Sequence, residues 1–100
     1  MATKVGEVAL TRLQEDLLGR VRTEAKICPM VSISLVRMCL GAGKRQFDNA
    51  LLELVRFGYL DIHRTDIPRR LMTTYEREGF LWVGEDTAYN ACSVRKGGRS

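Results

Sequence analysis

The sequence has no long apolar run: within its 100 residues, nothing approaches the roughly 18 consecutive apolar residues of a membrane span. Its N-terminus lacks the basic-then-apolar pattern of a secretory signal. Its three cysteines are an odd number at wide spacings, which argues against the disulfide framework of a small secreted protein. These absences predict a protein of a reducing, cytoplasmic compartment with no membrane segment.

The sequence is also poor in residues that build catalytic or metal sites. Its single histidine, His63, falls on the polar side of a predicted strand and has no partner nearby in sequence. No C-x-x-C or H-x-x-x-H spacing supports a metal site. Cys39 and Cys92 lie in apolar segments, where we expect buried thiols. We therefore expect no enzyme, no metal and no other cofactor.

Basic residues are in modest excess and are not gathered in one arm. Sixteen Lys and Arg against twelve Asp and Glu give a formal net charge of +4 and a pI near 9.3. This excess favours a polyanionic partner without requiring one. The length and the 45% hydrophobic content suit one domain with a modest core, so folding must assemble any basic patch.

An amphipathic helix is predicted from about Val5 to Glu24, ending before Cys28-Pro29 because the residue before a proline is pushed toward extended geometry. Its apolar stripe is narrow, which suits packing on a second helix or on a partner subunit. This stripe is our candidate contact for a homodimer, and it consists of Leu10, Leu13, Leu17 and Val21.

A short edge strand is predicted at "MVSIS", where Val31 and Ile33 alternate with serines. Ser34 is expected to cap a second helix of barely two turns, "LVRMCL". That helix is expected to stop at the segment 41–43, Gly-Ala-Gly, because glycine supplies the backbone freedom that a helix end needs.

A third helix is predicted from Lys44 to about Phe57, with Gly58 as its stop. The strand that follows has one buried side, because Leu60 and Ile62 alternate with polar residues. The buried face of the helix is expected to consist of Phe47, Ala50, Leu51, Leu54 and Val55.

The C-terminal third is predicted to hold one short helix and a closing hairpin. Thr73 and Glu76 have the spacing of a capping box, which starts the helix. The stretches "FLWV" and "AYNACSVR" flank the turn "GEDT" and read as two strands, with Phe80 and Trp82 on one face. We divide the chain into an N-terminal helix and linker (1–29), a main domain (30–96) and a disordered tail (97–100).

The order helix, short strand, helix, tight turn, helix, strand, strand resembles the winged-helix form of the helix-turn-helix domain. The stretch "SLVRMCLGAGKRQFDNALLELVRFGYLDIHR" is similar to the segment by which MarR-like winged-helix proteins are recognised. The resemblance implies an α+β fold with three main helices, a short inserted helix and a small antiparallel β-sheet, preceded by the amphipathic helix. The sequence departs from a simple wing, since sixteen residues from Thr65 to Phe80 separate two strands that a tight hairpin would join directly.

The third helix is the candidate DNA reader. Around its axis, Arg45, Asn49, Leu52 and Arg56 fall within about 60° of one another, opposite the apolar face. Arginine bonds bidentately to guanine and asparagine to adenine, so this face suits a major groove. The predicted DNA-binding residues, with phosphate contacts included, are Arg37, Lys44, Arg45, Gln46, Asn49, Leu52, Arg56, Arg64, Arg69 and Arg70. The predicted function is sequence-specific double-stranded DNA binding by a small, homodimeric transcriptional regulator.

A second reading stays open, in which the domain is a protein-interaction module of a larger complex and never touches DNA. An exposed Leu52, the modest charge and the acidic residues around the insertion favour it. A phosphate-binding loop at "GAGKR" is rejected, because Met38 stands where the first glycine should be and Arg45 where the hydroxyl should be.

Overall fold

Helices dominate the first half of the chain and strands the second. In the computed structural model, which describes residues 9–95, the helices are α1 (Arg12–Ala25), α2 (Ile33–Leu40), α3 (Lys44–Arg56) and α4 (Thr74–Gly79). The strands are β1 (Val31–Ser32), β2 (Leu60–Arg64), β3 (Leu81–Val83) and β4 (Thr87–Val94), and one turn of 3-10 helix covers Arg69–Leu71. The α+β class, the inserted helix and the small antiparallel sheet are thereby confirmed.

The start of α1 is set by a capping box. The Thr11 hydroxyl accepts from the Gln14 amide at 3.2 Å, and Oε1 of Gln14 accepts from the Thr11 amide at 3.0 Å. The two bonds satisfy amides that the first turn of a helix leaves without partners. The predicted start near Val5 is therefore wrong where it can be compared, because residues 9–11 are not helical; residue 5 itself lies outside the described residues.

The start of α2 differs from the prediction by two residues. Ser32, not Ser34, is the N-cap, and its hydroxyl accepts from the Leu35 amide at 3.3 Å. With Ser32 in that position, Ser34 lies inside the first turn, and its own hydroxyl reaches another part of the chain. The helix ends as predicted at Gly41, whose φ of 64° lies in the left-handed region that favours glycine.

The prediction for α3 is confirmed to within one residue at its C-terminal end. There the amide of Gly58 donates to the Val55 carbonyl at 3.1 Å, and the amide of Tyr59 donates to the Leu54 carbonyl at 3.0 Å. This pair of bonds is the Schellman motif, and Gly58 has the positive φ, 89°, that the motif requires. The chain therefore leaves α3 and enters β2 within three residues.

The main core lies between α1, α2, α3 and one face of the sheet. Leu17 and Val21, two of the four residues proposed for a dimer contact, are 0% exposed inside this core and so have no surface to offer a second subunit. Leu10 and Leu13 are partly buried and pack against the same core. The narrow apolar stripe of α1 packs against α3 of the same chain and so belongs to the chain's own core.

The central strand of the sheet is β4, with which β1, β2 and β3 all pair in antiparallel fashion. Cys92 pairs with Val31 of β1 on one edge and with Ile62 of β2 on the other. Nearer the start of the strand, Tyr89 lies between Leu81 of β3 and the end of β2. One edge of β4 is therefore shared by β1 and β3, and the other belongs to β2.

A β-bulge in β4 shifts the alternation of its side chains between the two faces of the sheet. His63 pairs with Ala91 and Arg64 pairs with Tyr89, so Asn90 has no partner in β2. Without the bulge, Ala88 and Cys92 would share a face, since side chains alternate along a strand. Instead Cys92 belongs to the main core, and Ala88 belongs to a second cluster.

The second cluster anchors the insertion, which is the segment from Thr65 to Phe80 between β2 and β3. Met72, Phe80 and Ala88 form it, with Ile67 and Trp82 packed against it, so the prediction that Phe80 and Trp82 share a face is confirmed. The capping box of α4 is also confirmed: the Glu76 amide donates to the Thr73 hydroxyl at 3.0 Å, and the Thr73 amide donates to the Glu76 carboxylate at 2.9 Å. The 3-10 turn before it was not predicted.

No helix formed by residues 9–95 has the combined length and apolarity that a membrane crossing requires. The predicted disordered tail, 97–100, lies outside the described residues.

Candidate nucleic-acid interface

The side of α3 that points away from the core carries Arg45, Asn49 and Arg56, all exposed; we call these three residues the outer face of α3. The opposite side is formed by Phe47, Ala50, Leu51 and Leu54, which are buried. Within residues 9–95, the side chains of the outer face have no hydrogen-bond or ion-pair partner. Two guanidinium groups and one amide are therefore free to meet a ligand.

Leu52 does not belong to this exposed surface. It is partly buried and packs against the main core, so the prediction of an exposed Leu52 is wrong. Leu52 lies three residues before Val55, which is also partly buried, and neighbours at this spacing share a flank of a helix. Leu52 packs on that flank of α3, so the residues that remain on the outer face are all polar.

The two carboxylates of α3 are both held by neighbouring side chains. Asp48 pairs with Lys44 one turn earlier, and Glu53 accepts from Nε2 of Gln14 in α1. Gln14 is a buried polar residue whose Oε1 is also bonded, so both ends of its amide have partners. Both carboxylates lie at the flanks of the outer face; Glu53 is exposed and keeps its negative charge there, because Gln14 is a neutral amide.

Lys44 and Gln46 occupy the first turn of α3. Gln46 is exposed. The Lys44 ammonium binds the Asp48 carboxylate and donates to the Phe80 carbonyl at 3.0 Å, while its side chain stays 35% exposed. The residue predicted to hold a phosphate thus has a structural partner as well.

Arg37 is not brought to the outer side of α2. It is partly buried, and its Nε is inaccessible and has no hydrogen-bond partner among the described residues. The outer side of α2 carries Leu35 and Met38, which are 44% and 63% exposed. This helix therefore presents an apolar surface beside the polar one of α3.

The remaining predicted arginines lie at the end of β2 and in the 3-10 turn that follows it. Arg64 is exposed at the end of β2, and Arg69 and Arg70 are exposed in the 3-10 turn. Arg69 donates to the Glu85 carbonyl at 2.8 Å and stacks over Trp82, with 5.2 Å between its guanidinium carbon and the ring centroid. These contacts tie Arg69 to the β3–β4 turn, whereas Arg70 has no such partner among residues 9–95.

Two polar contacts between β2 and the C-terminal end of β4 were not predicted from the sequence. Nε2 of His63 lies 2.7 Å from the Ser93 hydroxyl, and Arg95 forms an ion pair with Asp61 at 2.7 Å. The partners are 30 and 34 residues apart, so no local spacing could have indicated them. Only the register of the two strands brings them together.

The cysteines fall into two groups. Cys28 and Cys39 are exposed, so the prediction of a buried Cys39 is wrong: it lies on the side of α2 turned toward α1, where its sulfur accepts from Arg20 at 3.3 Å. Cys92 is buried as predicted, and burial raises the pKa of its thiol to about 12. Across residues 9–95, no three His, Cys, Asp or Glu side chains cluster in a way that could hold a metal ion.

No protein-family model, no curated protein and no solved structure gives a significant match to this chain. The candidate interface is therefore supported by its own geometry and chemistry.

Proposed function

We propose that the protein binds double-stranded DNA by laying the outer face of α3 in the major groove. The observation that carries this proposal is the composition of that face: Arg45, Asn49 and Arg56 are exposed and unpartnered within residues 9–95, while both acids of the helix are bound at its flanks. A helix face that carries two unpaired arginines and no carboxylate of its own suits a polyanion.

The chemistry of the face also suits base reading. Arginine donates bidentately to O6 and N7 of guanine, and asparagine bonds to N6 and N7 of adenine. Arg45 and Arg56 are separated by about 16 Å along the helix axis at 1.5 Å per residue, so the side chains sample several base pairs. The start of α3 has Gly43 as its N-cap and no side-chain cap bond, which leaves its amides available to a phosphate.

The order of elements supports placing the protein among winged-helix transcriptional regulators. Helices α1 to α3, the short β1 and the later strands follow one another as the MarR-like resemblance implies. In this proposal Arg64 and Arg70 contact phosphates beside the groove, and two copies bind a two-fold operator.

Titration onto random duplex DNA at several salt concentrations tests the proposal. We expect log K to fall with log[salt] with a slope of roughly −0.9 for each phosphate neutralised. Absence of binding at low salt, or a flat salt dependence, would contradict DNA binding.

Replacing both outer-face arginines tests the surface itself. Arg45→Ala with Arg56→Ala is expected to weaken DNA binding by about thirtyfold or more, since each lost arginine contact is worth roughly 1–3 kcal/mol. Lys26→Ala is the control that removes one positive charge away from α3: Lys26 is exposed, lies at the C-cap of α1, and should have little effect. Unchanged affinity in the double variant would place the reading surface elsewhere on the molecule.

A protein-interaction module remains the second candidate, because α2 exposes an apolar surface. A cavity of about 210 Å³ opens between Ile27, Met30 and Leu35, and it is lined mainly by apolar side chains. Exposed apolar clusters of this kind mark sites of protein contact. A chain that shows no salt-dependent DNA binding would favour this function.

A further inference from the structure

Two successive backbone carbonyls at the α4–β3 junction are held by two different helices. The Gly79 carbonyl accepts from the Ser34 hydroxyl of α2 at 3.0 Å. The next carbonyl, that of Phe80, accepts from the Lys44 ammonium at the start of α3, also at 3.0 Å. We call these two bonds the clasp. The clasp joins α2 to α3 through a segment that is distant from both in sequence.

The direct connection between α2 and α3 is a weak constraint by comparison. It consists of Gly41, Ala42 and Gly43, and two glycines in a turn of three residues leave the chain more backbone freedom than a turn without glycine. Apolar packing of both helices on the main core holds them together, but the clasp adds directional bonds from the start of each helix to one common segment.

The junction that carries the clasp is itself firmly placed. Phe80 belongs to the second cluster and Leu81 to the main core, so side chains on both faces of the sheet fix the backbone between them. The Tyr75 hydroxyl adds a contact from α4 to the sulfur of Met38 at 3.4 Å. An anchored junction can therefore act as a rigid reference for the two helices.

We propose that the clasp sets the angle between α2 and α3, which makes Ser34, Lys44 and Gly79 positioning residues for the outer face of α3. The consequence for DNA affinity rests on the proposed function, whereas the helix angle does not. The insertion between β2 and β3 thus holds α2 and α3 at a fixed angle.

Gly79 gives a sharp way to open the clasp. A Cβ added at this residue would lie 2.7 Å from the Ser34 hydroxyl oxygen, closer than side chains approach, but 3.6 Å from Ser34 Cβ, which is ordinary contact. Gly79→Ala therefore displaces Ser34 or the junction. Removing the hydroxyl as well, in the double variant Ser34→Ala with Gly79→Ala, makes room for the new methyl group but leaves the Gly79 carbonyl without its Ser34 hydrogen bond.

The experiment measures backbone N–H residual dipolar couplings of α2 and α3 in weakly aligned protein. In the wild type, one alignment tensor should fit both helices. In Gly79→Ala and in Ser34→Ala the two helices should require a changed relative orientation, and the double variant, which also lacks the Ser34 hydrogen bond, should keep that change. Gly19→Ala is the matched control, since Gly19 has no atom within 4 Å of an added Cβ and lies in α1.

DNA affinity supplies the second readout. Gly79→Ala and Ser34→Ala should each weaken binding by about tenfold, and the double variant should bind no better than Ser34→Ala, since the Ser34 hydrogen bond is missing in both. An unchanged helix angle in Ser34→Ala, or a double variant with the wild-type angle, overturns the clasp. If Gly79→Ala does not fold, the couplings of Ser34→Ala and of the double variant decide, with the same changed angle expected in both.

Failure of the DNA proposal alone would be recognised separately: the wild-type protein would bind no DNA, while the residual dipolar couplings of the variants would still report the changed helix angle.

Discussion

Cys92 shows how one buried side chain can make stability depend on pH. The thiol lies in the main core at the centre of β4, 1% exposed, and burial raises its pKa from 9.0 to about 12. Below pH 9 the thiol is protonated in both the folded and the unfolded chain. Above pH 9 only the unfolded chain releases the proton, so rising pH favours unfolding.

We expect the free energy of unfolding to fall by about 2 kcal/mol between pH 8 and pH 10.5 on account of Cys92, at 1.36 kcal/mol for each unit of pKa difference. Urea titrations at both pH values measure it. Cys92→Ala should lower stability at pH 8, because a buried sulfur is lost, but should remove most of the alkaline decrease. An equal decrease in both proteins would show that other groups cause it.

Single residues were also where the sequence was least informative. The burial of Cys92 followed from its apolar strand, but the exposure of Cys39 did not follow from an equally apolar helix. A helix shows several faces to different surroundings, and the eight residues of α2 are too few to reveal which one meets the core. The contact between His63 and Ser93 depends on strand register, which no local pattern contains.

Among the elements, α3 and β2 were the most predictable. Apolar residues recur at helical spacing in "FDNALLELV" and then alternate in "LDI", and the glycine between them has the sharply positive φ that only glycine adopts without strain. The cap of α2 was less predictable, because two serines, Ser32 and Ser34, compete for the same role and the choice depends on where β1 stops pairing with β4.

Gly58 is expected to be the least replaceable residue between these elements. Gly58→Ala should lower the free energy of unfolding by roughly 1–2 kcal/mol, the strain of a left-handed backbone in a residue with a Cβ. The space around the added atom is open enough, with the Arg95 guanidinium at 3.7 Å, so strain and not a clash should dominate. Urea unfolding measures the change.

Gly19→Ala is the comparison for this substitution: in the middle of α1 the same change should stabilise slightly, because alanine favours helix. A loss of stability at Gly19 equal to that at Gly58 would contradict the role of the Schellman motif.

On the scale of the whole molecule, the chain builds two cores from one sheet. The bulge at Asn90 shifts the alternation of side chains along β4, so Cys92 after it faces α1 to α3 and Ala88 before it faces the insertion. The sequence predicted "AYNACSVR" as one strand but not its bulge, because an unpaired residue is defined only relative to the neighbouring strand.

We expect the protein to form a homodimer when it acts as a DNA-binding protein, since one module of this size covers too little DNA for tight specific binding. The surface left for the contact is not the buried stripe of α1; it includes the exposed apolar side chains of Ile27, Met30, Leu35 and Met38. Light scattering should give about twice the 11.3 kDa of one chain. A single-chain mass at concentrations well above those of DNA binding would rule the dimer out.

The position of β4 in the sheet has a consequence for how the protein is made. Within the described residues β1, β2 and β3 pair with β4 alone, and β4 is the last of the four to be synthesised. The three helices of the main core can form as soon as they leave the ribosome, but every strand must wait with open edges for the final one. A chain stalled before residue 87 would therefore expose three unpaired strands at once, and the cell's quality control should recognise it quickly.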